Sequence, residues 1–301
     1  MLGMRLGVWF YRRFGKRWSE FFVLPVVMYF FLTDRRGRRA SRRYLKKLYG
    51  IPDGRRALGR PPGLWESFLH YRAFALMILD RLSFALGDTA DLEIVFQGRE
   101  HFERLIEARR GAILLGAHLG SFEALRLLAE RSKIAVNVLM STQHAPRINA
   151  ILRALKPDLD LRVIHVDPAS IQWVFELRAS VARGEFLAIL GDRVGPEPRQ
   201  RDLRVPFLGT SASFPPGPFV LASVLGCPIL LMVGLRVSAT SYEVFAEPLA
   251  EHVVLTDDDR TDRLRTLIGA YAKRLEAFCF KAPYQWFNFY DFWAEEANVH
   301  R

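Results

Sequence analysis

From Leu92 onward, short apolar runs alternate with stretches whose apolar residues recur at helical spacing, and this alternation restricts the fold more than any other feature. Strands are expected at Leu92–Gln97, Ala112–Gly116, Ile134–Met140, Leu161–Val166, Phe186–Leu190 and Pro228–Leu235, with a late one at Tyr242–Ala246. Helices are expected between most of them, at His101–Arg110, Ser121–Arg131, Pro146–Leu155, Ala169–Arg183 and Pro216–Leu225, and a last one near Arg260–Phe280. Strands joined through helices pair in parallel, so the rhythm predicts an α/β fold: a mixed, mostly parallel sheet flanked by helices. Asp257 to Asp259, just before the last helix, read as an acidic helix N-terminus.

The first 63 residues read differently and are expected to form a separate N-terminal segment, leaving 64–301 as the main domain. Residues 1–20 are basic and aromatic, Phe21–Leu32 is unbroken apolar sequence, and Arg35, Arg36, Arg38, Arg39, Arg42, Arg43, Lys46 and Lys47 follow densely. Twelve apolar residues are too few to cross a bilayer, which needs about 20, and Pro25 is expected to interrupt a helix there. Positive charge on both sides of an apolar run suits a membrane-associating helical segment, peripheral or monotopic, on an anionic leaflet. A signal peptide is not expected, because no small-residue cleavage site follows. Ile51–Gly63 reads as a Gly/Pro-rich loop and Leu64–Leu86 as an amphipathic helix, which Arg72, Asp80 and Arg81 exclude from spanning a membrane.

Of 301 residues, 50% are hydrophobic, enough for a sizeable core, and the net charge of +11 calls for an acidic partner. Nucleic acid is one such partner, but no helix-turn-helix, zinc signature or basic–aromatic interleaving on one sheet supports it. Cys227 and Cys279 have neither metal-ligand spacing nor a disulfide framework around them, so no metal site is expected.

The chemistry concentrates in AILLGAHLGSFEALR, Ala112 to Arg126. His118 falls in the turn after a strand, Ser121 is placed to cap the next helix, and Glu123 lies in its first turn. On one continuous helix five steps of about 100° would leave His118 and Glu123 about 140° apart. A break at Gly120 removes that restriction, so the imidazole is expected to fold back onto Glu123, kept ionised by the helix dipole. A carboxylate on one ring nitrogen fixes the tautomer and leaves the other nitrogen as a base. No nucleophile accompanies the pair, which suits a reaction whose substrate brings the hydroxyl. His70, His101, His144, His165, His252 and His300 lack such a partner and read as surface or satisfied core residues.

Gly191, Asp192 and Arg193 follow the strand Phe186–Leu190, at the strand end where open α/β sheets place ligand groups. Arg193 is suited to bind a phosphate or carboxylate bidentately, or else pairs with Asp192 or Glu197. A long, irregular, basic loop through Arg199, Arg201 and Arg204 is expected next, ending in FLGTSASFPPGP, Phe207 to Pro218, as an exposed turn at a helix start.

These blocks, His118–x4–Glu123, Gly191–Arg193, Phe207–Pro218 and Cys227–Ile229, resemble in order the four blocks of the lysophospholipid acyltransferase superfamily. The chain is most similar to the late lipid A acyltransferases of the lauroyl and myristoyl type. Its Pro283–Trp293 segment is also similar to predicted acyltransferases of glycolipid and aryl-polyene lipid assembly. The resemblance implies a glycerolipid acyltransferase-like fold and catalysis by His118 with Glu123 orienting the ring. It assigns substrate contacts to Gly191, Asp192, Arg193, Phe214 and Gly217, with Arg147 and Asn149 as further contacts. It further implies an acyl thioester on an acyl carrier protein or coenzyme A as donor, no other cofactor, and a lipid acceptor. The implied location is the cytoplasmic face of the bacterial inner membrane. Where the glycerophosphate branch has Asp and FPEG, this chain has Glu123 and Phe214–Gly217 as FPPG. The departure favours a lipid A-like or glycolipid hydroxyl over lysophosphatidic acid.

Overall fold

The computed structural model describes residues 2–89, 91–131, 134–141, 162–166, 172–194 and 202–293. Four helices come first: α1 (Leu2–Thr33), α2 (Arg35–Gly50), α3 (Pro52–Leu58) and α4 (Leu64–Ala85). Then come β1 (Glu93–Gln97), α5 (Arg99–Glu107), β2 (Ile113–Gly116), α6 (Phe122–Arg131), β3 (Val136–Ser141), β4 (Arg162–Val166), α7 (Gln172–Ala182) and β5 (Phe186–Leu190). The chain ends with β6 (Leu203–Phe207), β7 (Thr210–Phe214), α8 (Gly217–Leu225), β8 (Ile229–Arg236), β9 (Ser241–Ala250) and α9 (Arg260–Lys281).

Seven strands form one sheet in the order β1-β9-β8-β2-β5-β3-β4. Every neighbouring pair in it is parallel except the hairpin of β8 and β9. The expected strands are present, with ends shifted by a few residues. The runs of β2 and β8 are continuously apolar because both faces are covered. Along β2, Ile113 and Leu115 enter one core with α8 and α9, whereas Ala112 and Leu114 enter a second with α5 and α6. Burial of this kind is worth about 25 cal/mol per Å² of apolar surface, which makes β2 a rigid mount for whatever follows it.

Three expectations change. Helix α1 runs on through Pro25 and breaks instead at Gly15, whose φ of 77° lies in the left-handed region. The Ile51–Gly63 loop contains α3, started by Pro52 and stopped by Gly59 at φ 70°. The irregular basic loop is in its latter part the antiparallel hairpin β6–β7, turned by Leu208 and Gly209 at φ 50° and 77°. Its inward residues Val205, Phe207, Ala212 and Phe214 alternate with outward Arg204, Pro206 and Ser211.

The boundary expected between 63 and 64 falls inside packed structure. Tyr44, Leu45 and Leu48 of α2 and Leu58 of α3 belong to the main core. Helix α1 lies against α4, where Val27 and Phe31 meet Phe68 and Tyr71. Buried Asp80 of α4 pins α1 to the sheet: Lys16 Nζ stands 2.9 Å from it, while Arg236 Nε and Tyr242 Oη each donate to it at 2.6 Å. Outward, α1 and α4 expose Trp18, Phe21, Phe22, Met28, Tyr29, Phe30 and Trp65. Among the described residues no helix is long and apolar enough to cross a membrane.

Candidate active site

The C-terminal ends of β2 and β5 lie side by side, and each carries one half of the site. After β2 the chain turns through Gly120 at φ 69°, where an added Cβ would lie 1.9 Å from the Gly234 carbonyl, so only glycine fits. Ser121 then caps α6, its Oγ accepting from Ala124 N–H at 3.4 Å. After β5, Gly191 donates its N–H to the Gly116 carbonyl at 3.0 Å, with no room for a side chain against Leu115. This locking of the two strand ends brings Asp192 beneath His118.

His118 Nδ1 lies 2.8 Å from Asp192 Oδ1, and the His118 backbone N–H donates to Oδ1 at 3.0 Å and Oδ2 at 2.9 Å. Asp192 is fully buried and accepts two further hydrogen bonds at 2.9 Å, from Trp286 Nε1 and Asn288 Nδ2. Burial pushes its carboxyl toward the neutral form, but the charge and hydrogen bonds of His118, with that of Trp286, outweigh it and hold the carboxyl below its usual range. An ionised carboxylate only accepts, so Nδ1 carries a proton whether or not the ring is charged, and in the neutral ring the lone pair is on Nε2. The His118 side chain is 24% exposed, so that lone pair is within reach of a substrate.

Glu123 does not supply that contact. It is buried, with Oε1 2.9 Å from Arg81 Nε of α4 and Oε2 2.8 Å from Arg126 Nε one turn along α6. The expected fold-back of the ring onto α6 fails because the neighbouring strand delivers Asp192 directly under it. Asp192, expected as a substrate contact, is sealed beneath the imidazole and faces no opening. Glu197 lies outside the described residues, and Arg193 does not pair with Asp192. Its Nε donates to Asn288 Oδ1 at 2.6 Å and its Nη2 to the Phe287 carbonyl at 2.9 Å, with Tyr290 flanking the guanidinium at 5.8 Å. Nη1 has no partner among the described residues, and the residue is exposed.

The other expected contacts divide. Phe214 is a core residue, packed on Phe207, Tyr271 and Phe292, and touches no substrate space. Gly217 opens α8 with nothing within 4 Å of where a Cβ would stand. Arg147 and Asn149 lie outside the described residues. His70 is a satisfied core histidine, as expected, with Nε2 donating to the Trp286 carbonyl at 2.8 Å and Nδ1 3.0 Å from Ser41 Oγ.

Sequence reasoning missed the contribution of Gln285–Asn288. This strap bonds Gly120 N–H to the Gln285 carbonyl at 2.8 Å and Phe287 N–H to the His118 carbonyl at 2.7 Å. The one available signal was two amides, Gln285 and Asn288, within an aromatic run: polar side chains in such company are buried with partners.

A family profile described as bacterial lipid A biosynthesis acyltransferase matches residues 61–294. No curated protein matches the chain significantly.

Proposed function

The chain belongs to the bacterial lipid A biosynthesis acyltransferase family and is an acyltransferase, and from that premise we propose how it acts and on what. A fatty acyl group moves from a thioester, on an acyl carrier protein or coenzyme A, to a hydroxyl of a lipid A-like or glycolipid acceptor. The observation that carries this reading is the pairing of His118 Nδ1 with buried, ionised Asp192, 2.8 Å apart, which leaves Nε2 as the free base. Nε2 takes the acceptor's hydroxyl proton as the oxygen attacks the thioester carbonyl. The tetrahedral intermediate then expels the sulfur, and the imidazolium returns the proton to the leaving thiolate. Asp192 stabilises the imidazolium formed in between. Arg193 Nη1 is suited to a substrate phosphate, and the backbone N–H of Gly217 at the start of α8 to the oxyanion.

The surface supports a lipid setting. A groove of about 660 Å³ between α1 and α4 is lined by Phe21, Phe22, Pro25, Met28, Trp65 and Phe68. On α2, Arg35, Arg39, Arg42 and Lys46 recur at helical spacing on the exposed face, and the helix holds no acidic residue. The apolar face suits the acyl boundary of the cytoplasmic leaflet of the inner membrane, and the cationic ridge suits its anionic headgroups or an acidic carrier.

The test offers the purified chain a fatty acyl thioester with two competing acceptors, a phosphorylated lipid A precursor and 1-acylglycerol-3-phosphate, in anionic vesicles. Acylation of the saccharide lipid, lost in H118A, is expected. Preference for the glycerol lipid, or turnover surviving in H118A, overturns the reading.

A further inference from the structure

Resting on that assignment of His118 and Arg193, we propose that Asn288 is a positioning residue whose one side chain sets both the base and the anion-binding cation. Its Nδ2 donates to Asp192 Oδ2 at 2.9 Å, and its Oδ1 accepts from Arg193 Nε at 2.6 Å. The amide is itself almost fully buried, so neither end has water as a substitute partner. Asn288 is the next residue but one after Trp286, which donates to the same Asp192 oxygen. It follows Phe287, whose N–H holds the His118 carbonyl and whose carbonyl holds Arg193 Nη2.

The strap is fixed from behind as well. Trp286 is wedged against Tyr44 of α2 at 4.9 Å between ring centroids, and its carbonyl accepts from His70 of α4. Asn288 is therefore held in one orientation, donor toward the carboxylate and acceptor toward the guanidinium. The reverse orientation would face an amide oxygen to a carboxylate and an amide N–H₂ to an arginine, repulsive at both ends. The arrangement ties the distance between base and cation to a single rigid group. That distance decides whether an acceptor or donor anchored by its phosphate presents the reacting atom to Nε2.

The three contacts separate by substitution. W286F removes one donor from Asp192 and leaves Arg193 held, so kcat falls with KM unchanged. R193M removes the cation and leaves Asp192 held, so KM rises with kcat nearly unchanged. Varying acceptor and thioester separately shows which of them brings the phosphate. N288L removes both contacts, and it is expected to do both: kcat down and KM up, each about tenfold. Nitrogen-15 NMR of the His118 ring adds a readout independent of turnover. The Nδ1-protonated tautomer of wild type and R193M is expected to give way to a tautomer mixture in N288L. N288S, which admits water, should show the same changes more weakly and serves if N288L fails to fold. Wild-type kcat and tautomer in N288L or N288S overturn the proposal, as does a change in KM alone. If wild type acylates neither acceptor, the acyltransfer reading fails, whereas the tautomer result still decides whether Asn288 positions the ring.

Discussion

Two carboxylates are buried near His118, and they are solvated in opposite ways. Asp192, at the end of β5, is met by the imidazole, an indole, an amide and a backbone N–H, with no guanidinium among the described residues touching it. Glu123, on α6, is clamped between the guanidiniums of Arg81 and Arg126. Neutral donors fix a carboxylate while leaving its charge unneutralised, ready to stabilise an imidazolium. Two guanidiniums on one carboxylate hold its charge in ion pairs, so it has little left to offer a cation elsewhere. The same residue type therefore serves a proton transfer in one place and ties helices together in the other: Glu123 joins α4 to α6 and so steadies the turn that carries His118.

The largest effect expected is from H118A, which removes the base altogether and should lower kcat about 10⁴-fold while the thermal transition stays near wild type. D192N follows. It keeps the shape but lets the ring take the wrong tautomer, and kcat should drop about 10³-fold, measured under saturating thioester. E123Q sharpens the contrast, because its effect should fall on stability. Removing the Glu123 charge from between α4 and α6 is expected to cost on the order of 3 kcal/mol in denaturant unfolding, with turnover per folded molecule falling far less than in D192N. If E123Q instead abolishes turnover in fully folded protein, the division of labour between the two carboxylates is broken.

The sheet was legible because its central strands, β2, β5 and β8, are short apolar runs flanked by turn residues, and the other strands alternate with helices around them. The hairpin β6–β7 was not, since Arg204 and Pro206 on its outer face disguise the alternation of Val205, Phe207, Ala212 and Phe214. His118 stood out by its place after a buried strand. Its partner did not, because the pairing of β2 with β5 is a choice of strand order, made by long-range packing that no local spacing records. The pattern of His118 and Glu123 along the chain led to the wrong ring contact for that reason. Arg193 was legible as a cation at a strand end, whereas the strap that aims it is irregular backbone with no periodicity to read.

Acid separates the two carboxylate regions by a smaller margin, through His70, which supports the Asp192 side alone. Burial drives the His70 ring toward its neutral form, lowering its pKa from 6.5 to about 4 despite the opposing pull of the Trp286 carbonyl. The folded value lies below the unfolded one, so the unfolded chain binds the extra proton first. His70 therefore costs nothing above pH 6.5, and its destabilisation grows as pH falls from there to about 4, reaching about 3 kcal/mol. Asp192, whose pKa is shifted down, gives up its own contribution only below the usual carboxylate range. Unfolding midpoints measured between pH 7.5 and 4.5 should thus fall in wild type. They should flatten in H70Q, whose amide can still donate to the Trp286 carbonyl and accept from Ser41 but cannot titrate. An H70Q profile as steep as wild type would move the acid sensitivity elsewhere and remove the strap from its origin.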